Sequence, residues 1–265
     1  MQDRHPYGDG EKAKRDVQEV AERKTFKDRL EEIRERIERA ARVAGRNPVE
    51  IRLIAATKTV SVERLREAVV CGCRIFGENR VQEAVAKMET LPGTSGVEWH
   101  FLGALQSNKV KSVIGRFRLL HALDRVEVAE RLDKELRERD LLQPVLLQVN
   151  ISKEPSKHGF SPDELVEAAH ELANFKNLQV RGLMTVPPLA ASAEHSRSYF
   201  RDLKRLAAQL ESEKIPGIAM TELSMGMSGD FECAIEEGAT MVRIGSALFG
   251  PRARLGENRE GARLS

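Results

Sequence analysis

Short runs of β-forming residues alternate with helical segments along the chain, and this alternation limits the possible folds more than any other sequence feature. Strands separated by helices pair in parallel through right-handed crossovers. Eight such strands in about 225 residues predict an α/β fold, a single (β/α)8 barrel of the TIM type. The alternative is a doubly wound open sheet, which usually has roughly five to seven strands. The predicted strands are Ile51–Thr57, Arg74–Phe76, Glu98–Leu102, Leu119–Ala122, Pro144–Val149, Gln179–Leu183, a seventh led by Glu222-Leu223, and Met241–Ile244.

An additional helix is predicted before the first strand. Apolar residues recur at helical spacing from Phe26 to Ala44, and Gly45 followed by Pro48 ends the pattern. Charges of both signs crowd this region, since 24 of the first 46 residues are Asp, Glu, Lys or Arg. The mixture of signs favours a solvated helix packed on the barrel over a basic binding arm.

A length of 265 residues allows one large domain or two small ones. Eight strand–helix units occupy residues 26–250, which leaves no chain for a second domain. We therefore expect a charged N-terminal extension over residues 1–25, either prolonging the helix or disordered, and a C-terminal tail over residues 251–265. A single barrel with its own leading helix is expected to be a monomer.

Composition restricts the partners and the compartment. The 43 basic and 41 acidic residues leave a net charge of +2, which does not indicate a nucleic-acid partner. No apolar stretch reaches membrane-spanning length, and the first ten residues are too polar for a signal peptide. Cys71, Cys73 and Cys233 show neither a disulfide pattern nor zinc-ligand spacing. These features predict a cytoplasmic protein without a metal site.

Polar residues and glycines follow most of the predicted strands, where barrel enzymes carry their chemistry. Lys58 is the single lysine among them, and it ends an otherwise apolar strand. Barrel-lining surroundings would favour a neutral amine able to attack an aldehyde, while the alternative is a lysine that points into solvent. In strand order these rim residues are Lys58, Asn79, Gly103, Asp124, Asn150, Met184, Ser224 and Gly245.

Two loops rich in glycine and serine follow strands seven and eight, at 224–230 and 245–250. Backbone N–H groups in such loops approach anions closely, and barrels often bind phosphate here. The alternative is that the glycines only form turns. Arg243 alternates with Val242 and Ile244, so it faces the opposite side of strand eight and needs a partner there. That partner is either a ligand or a structural group.

An imine-forming lysine, a phosphate-binding loop pair and an inward arginine together fit pyridoxal phosphate (PLP). The chain resembles the pyridoxal phosphate homeostasis protein family, whose barrel is similar to the N-terminal domain of alanine racemase. The matching stretches are Ala56–Lys58, Phe76–Asn79, Trp99–Gly103, Leu105–Lys109, Gly182–Thr185, Leu223–Gly229 and Val242–Gly250.

The resemblance assigns roles to individual residues. It implies that Lys58 forms the covalent aldimine with pyridoxal 5'-phosphate and that Arg243 faces the pyridine nitrogen. Asn79 matches a polar residue beside the ring. Ser224, Gly245 and Ser246 match positions of the phosphate cup.

Resemblance and residue inventory together favour a carrier over an enzyme. A racemase of the related fold uses a tyrosine from a separate domain as second acid or base, and this chain has only Tyr7 and Tyr199. His100 and His121 lie within strands, where hydrogen-bonded core histidines are expected. We therefore predict a carrier or buffer for PLP homeostasis, with apo PLP-dependent enzymes as recipients. The alternatives are a PLP-dependent amino-acid racemase with an unrecognised second base, and a Schiff-base aldolase without PLP.

Overall fold

The computed structural model describes residues 24–91, 96–154, 156–188 and 192–250. Eight parallel strands close into a barrel in sequence order, which confirms the predicted fold class. The strands are β1 (Arg52–Ala56), β2 (Ile75–Glu78), β3 (Glu98–Phe101), β4 (Leu119–Leu123), β5 (Gln143–Gln148), β6 (Leu178–Met184), β7 (Ile218–Met227) and β8 (Met241–Ile244). The helices are α1 (Phe26–Val43), α2 (Val62–Val70), α3 (Val81–Thr90), α4 (Val110–Val113), α5 (Val126–Arg137), α6 (Leu165–Leu172), α7 (Ala193–Ser212), α8 (Phe231–Glu236) and α9 (Ser246–Phe249).

The predicted N-terminal extension, apart from its last two residues, and the C-terminal tail lie outside the described residues. The division into extension, barrel and tail therefore stays a prediction. No helix in the part of the chain that the structure describes is long and apolar enough to span a lipid bilayer.

Two hydrophobic layers follow from the two-residue period of the strands. Alternate strand residues point into the barrel, and their neighbours pack outward against the helices. On β1, Ile54 faces the interior and Ala55 the outer layer. The interior layer is small and consists of Ile54, Leu119, Ala122, Leu146, Met184 and Met241. Hydrophobic side chains therefore fill part of the barrel interior.

Helix α1 packs against α8 and α9, the helices that follow β7 and β8. The Thr25 hydroxyl accepts from the Asp28 N–H while the Asp28 carboxylate accepts from the Thr25 N–H, which forms a capping box. One face of α1 is buried, and the Phe26 and Phe249 rings lie 5.2 Å apart, centroid to centroid. Arg36 makes two hydrogen bonds, of 2.8 and 2.7 Å, to the Glu232 carboxylate on α8. The helix is packed on the barrel as predicted, and it supports the two elements that follow β7 and β8.

Two predicted boundaries differ from the structure. The sequence Ser161-Pro162-Asp163-Glu164 predicts a helix start at Ser161, but α6 begins at Leu165. The Glu164 N–H still donates to the Ser161 hydroxyl at 3.3 Å, so these residues form a turn that leads into the helix. Strand β7 continues to Met227 because Met227 pairs with Arg243 of β8. The expectation that strand seven ends at Ser224 is therefore wrong.

Candidate functional site

Lys58 lies in a tight turn at the carboxyl end of β1. The Val60 N–H donates to the Thr57 carbonyl at 2.9 Å, which closes the turn around Lys58 and Thr59. Lys58 is exposed, which agrees with the alternative of a lysine that points into solvent and not with apolar, barrel-lining surroundings. Thr59 has φ 63°, a left-handed conformation that is strained for a β-branched residue. Such strain persists only where neighbouring groups hold the backbone in place.

A network of buried ion pairs and hydrogen bonds fixes the backbone of this turn. Lys87 of α3 donates to the Thr57 carbonyl, to Glu78 and to Glu83, each at 2.6 Å. The Glu83 carboxylate accepts the Thr59 N–H at 2.7 Å. The backbone is therefore fixed on both sides of Lys58 by one lysine and one carboxylate. No local sequence pattern predicts this network, since its members lie on three separate elements.

The two carboxylates of the network differ in electrostatics. Glu78 is fully buried, and burial outweighs its hydrogen bonds from Lys87 and Thr57, so its pKa is raised. Its Oε2 atom has no hydrogen-bond partner. Burial also acts on Glu83, but the hydrogen bonds from Lys87 and from the Thr59 N–H outweigh it and lower its pKa. Removing the lysine would leave a buried carboxylate without a counter-charge.

Arg243 points into the barrel, as the alternation along β8 predicts, because it lies two residues after the interior Met241. Its guanidinium donates to the Ser224 carbonyl at 2.7 Å, the Ser224 hydroxyl at 2.6 Å and the Thr185 carbonyl at 2.8 Å. Burial lowers its pKa to about 10. Within the described ranges no carboxylate lies within ion-pair distance of it. A buried cation with only neutral partners is costly, which is typical of a site that serves a ligand.

Ser224 lies inside the barrel wall and not at its rim. It pairs with Met184 on β6 and Met241 on β8, both of which fill the interior. Its hydroxyl is fully buried and lies 2.8 Å from Nδ1 of His121. Its side chain therefore anchors Arg243 from within the barrel wall, and its place in the phosphate cup stays a prediction. The predicted rim position of Ser224 is wrong, because strand seven continues past it to Met227.

His121 continues a buried hydrogen-bond chain to His100. His121 Nε2 lies 2.9 Å from His100 Nδ1, and the rings are 5.1 Å apart, centroid to centroid. The prediction of a hydrogen-bonded core histidine is confirmed for His121. For His100 it holds at one nitrogen only, because the buried Nε2 has no hydrogen-bond partner.

The two buried histidines predict a loss of stability in acid. Burial, then the charges of Arg52 and Arg118, lower the pKa of His100 to about 3, and burial lowers the pKa of His121 well below its ordinary value. The unfolded chain takes up protons near pH 6.5 while the native histidines stay neutral. Their contribution is therefore intact above pH 6.5 and is lost as pH falls toward 3. At pH 5 the loss for His100 is about 2 kcal/mol.

Urea unfolding at pH 7 and pH 5 measures this loss. Replacing the exposed His170 by glutamine should leave unchanged the difference in unfolding free energy between pH 7 and pH 5. In a His100→Asn variant this difference in unfolding free energy should be smaller than in the wild-type protein by the contribution of His100. Equal stability of the wild-type protein at both pH values would contradict the neutral state of the pair.

Gly245 and Ser246 stand at the start of α9, directly after β8. A Cβ on Gly245 would lie 3.4 Å from the Ala56 carbonyl oxygen, so this loop borders the end of β1 that leads to Lys58. The Ser228 hydroxyl accepts the Ala247 N–H at 3.3 Å and links the loops after β7 and β8. The structure therefore adds Ser228, which lies in the predicted loop 224–230, to the candidate site residues. Its position in a Gly-Met-Ser-Gly sequence was the available signal.

The other rim residues are divided between the site and the scaffold. Asn79 is exposed directly after β2, beside the β1 end. A Cβ on Gly103 would lie 2.3 Å from the Asn79 carbonyl oxygen, so only glycine fits there. Asp124 is buried, with His158 at 3.3 Å, and the Asn150 amide donates to the Glu154 carbonyl at 2.8 Å. Asp124 and Asn150 therefore stabilise loops on the side of the rim opposite Lys58.

Neither thiols nor metal ligands add to this site. Cys73 and Cys233 are buried, and burial raises the pKa of each thiol to about 11. The described part of the chain contains no group of three His, Cys, Asp or Glu side chains able to hold a metal ion. The adjacent strands β8, β1 and β2 instead collect an exposed lysine, a buried arginine, an exposed asparagine and a glycine–serine loop.

The chain is similar to one protein family over most of its length and to several individual proteins. The family described as "Alanine racemase, N-terminal domain" matches residues 29–253. The pyridoxal phosphate homeostasis protein of Aquifex aeolicus is 45% identical over 225 residues, 85% of this chain and 97% of that protein. The protein of the same name from Escherichia coli K12 is 42% identical over 225 residues, 84% of this chain and 95% of that one.

A solved structure agrees with this result. PipY from Synechococcus elongatus, with PLP bound, superposes with a TM-score of 0.71 at 38% identity, over 81% of this chain and all of that one (100%). The resemblance inferred from the sequence motifs is thereby confirmed. The chain belongs to the pyridoxal phosphate homeostasis protein family, and its barrel is of the alanine racemase N-terminal type.

Proposed function

We propose that this protein binds pyridoxal 5'-phosphate at the carboxyl end of the barrel and holds it covalently on Lys58. The observation that carries the proposal is Arg243, a buried guanidinium without a carboxylate partner among the described residues, on the strand next to β1. Arginine has five N–H donors, and the described protein acceptors take three of them. The remaining donors fit a ring nitrogen, and the PLP-bound PipY structure supports the same ligand.

The residues present fit the chemistry of this cofactor. PLP supplies an aldehyde, with which the Lys58 amine condenses: a C=N bond forms, and the aldehyde oxygen leaves as water. Exposure of Lys58 on a fixed turn keeps the amine accessible for this reaction and for its reversal by another amine. Gly245, Ser246 and Ser228 offer N–H and hydroxyl groups to the phosphate, and Asn79 stands beside the ring position.

The same residues favour a carrier or buffer over an enzyme. A permanent cation beside the ring nitrogen keeps it unprotonated, which weakens the cofactor as an electron sink. Tyr199 is part of α7 on the outside of the barrel and is not at the rim, and Tyr7 lies outside the described residues. The proposed role is therefore cytoplasmic PLP homeostasis by a monomer, with release to apo PLP-dependent enzymes.

Absorption and trapping test the covalent attachment. The purified protein, incubated with PLP, should show an imine absorption band that borohydride removes. Peptide mass mapping should then place the reduced pyridoxyl phosphate on Lys58, and peptides with Lys87 and Lys109 should stay unmodified. An adduct on another lysine would refute the assignment to Lys58. Absence of any band would leave a Schiff-base aldolase as the better interpretation.

Deuterium exchange separates carrier from racemase. The PLP-loaded protein is incubated in D2O with a panel of amino acids, and exchange at the α-carbon is followed by NMR. We expect no exchange beyond that of free PLP at equal concentration. Exchange at an ordinary enzymatic rate would overturn the carrier function.

A further inference from the structure

A polar cavity lies at the amino end of the barrel, opposite the candidate cofactor site. Its volume is about 220 Å³, enough for a small polyatomic anion. Among its lining residues are three arginines and one carboxylate, Glu222. Arg52 begins β1, Arg118 directly precedes β4, and Arg181 lies in the middle of β6. His100 lines its inner wall.

Arginine can only donate, and among the described residues His121 Nδ1 is the one acceptor within hydrogen-bond distance of the buried Ser224 proton, so the hydrogen-bond chain through the barrel has one direction. Arg243 donates to the Ser224 hydroxyl, whose own proton is then directed to Nδ1 of His121. His121 therefore carries its proton on Nε2 and donates it to Nδ1 of His100. Because both rings are neutral, the proton of His100 is on Nε2.

The chain therefore ends in an N–H donor at the cavity wall. His100 is 1% exposed, and its Nε2 has no hydrogen-bond partner. The nearest carboxylate oxygen, Oε2 of Glu98, is 3.8 Å away, beyond hydrogen-bond length. A buried donor left without an acceptor is costly, and a ligand that accepts this hydrogen bond would remove the cost.

The charges around this donor favour an anion. The Arg118 guanidinium has no hydrogen-bond or ion-pair partner among the described residues. Arg52 pairs with Glu222, and that carboxylate also accepts the Thr240 hydroxyl at 2.7 Å. Arg181 donates to Gln179 at 2.9 Å. Three guanidinium groups thus face one lining carboxylate, with Glu98 beside the cavity as a second.

We propose that this end of the barrel binds a small oxyanion, a phosphate or a carboxylate, held by His100 Nε2–H, Arg118 and Arg52. The site is separate from the cofactor site and does not depend on the proposed function. The buried chain from Arg243 to His100 connects the two ends of the barrel, and it sets which nitrogen of His100 faces the anion.

Histidine-selective 15N NMR tests the site on the full-length protein. Long-range 1H–15N spectra should show His100 and His121 with the proton on Nε2. Titration with inorganic phosphate, and separately with acetate, at constant ionic strength adjusted with chloride should shift the His100 Nε2 signal in a saturable manner. Saturation by phosphate, by acetate or by both supports the oxyanion site and identifies the preferred class.

Three variants make the test specific. Arg118→Gln should raise the dissociation constant measured from the His100 shift about tenfold, since it removes a charge-assisted hydrogen bond. Glu98→Gln should lower this dissociation constant several-fold, because it removes the neighbouring negative charge. Arg131→Gln, an exposed position on α5, is the matched control and should leave the titration unchanged.

Two results would overturn the proposal. One is a His100 signal that neither anion shifts in the wild-type protein or in Glu98→Gln. The other is a shift that Arg118→Gln and Arg131→Gln reduce equally, which would indicate unspecific ion binding. Binding of phosphate to the glycine–serine loops near Gly245 does not involve Arg118, so a His100 shift caused from there would persist in Arg118→Gln, and failure of the amino-end site leaves the PLP proposal untouched.

Discussion

Replacing Lys58 by alanine should abolish the covalent capture of PLP. The imine band should disappear, and borohydride should fix no pyridoxyl phosphate on the protein, because the described residues place no other lysine at this rim position. Arg243 and the glycine–serine loops remain, so weak non-covalent binding should persist, with a dissociation constant raised at least tenfold. Absorption spectra, mass mapping and equilibrium dialysis measure these effects.

The fold should tolerate this substitution. Lys58 is exposed, so the free energy of unfolding should change by no more than about 0.5 kcal/mol. Lys109→Ala, at the end of the 3-10 turn after β3, is the matched control and should keep the band and the adduct. Methylamine added to Lys58→Ala with PLP should restore an imine band in the site. A full-strength adduct on Lys58→Ala would show that another amine carries the cofactor.

Much of the architecture could be predicted because its signals are local. Strand runs with helices between them, the apolar stripe of α1 and the Gly45–Pro48 stop are each set by a short window of sequence. All eight strands are found in the structure, with ends shifted by one or two residues where pairing and not composition decides the boundary. The exception is β7, whose extension to Met227 depends on its register with β8.

The site could be predicted only in part for the same reason. Lys58, Asn79, Gly245 and Ser246 lie directly after strands, so their place at the rim follows from the strand ends. Ser224 moved from the rim to the interior because its place depends on a register that no local pattern reveals. The Lys87 network and the His121–His100 chain also escape prediction, since each joins residues from separate elements through side-chain contacts.

Replacing Lys87 by methionine should be the most destabilising change at the site. Lys87 is 5% exposed and forms ion pairs with two carboxylates, one of them the fully buried Glu78. Breaking a buried ion pair by removing one partner costs about 3–5 kcal/mol, because a buried charge is left without compensation. For a chain of this size that corresponds to a fall in Tm of about 6–20 °C. Lys134→Met, exposed on α5, is the matched control and should change Tm little.

The double variant Lys87→Met/Glu78→Gln distinguishes lost charge balance from lost packing. Neutralising the Glu78 position removes the uncompensated charge, so the double variant should regain at least about 1 kcal/mol relative to Lys87→Met. Both variants lose the Lys87 hydrogen bond to the Thr57 carbonyl, so both should also bind PLP with reduced affinity. If the double variant is no more stable than Lys87→Met, the network stabilises the fold by packing alone. If PLP affinity stays at the wild-type value, the network does not position the Lys58 turn.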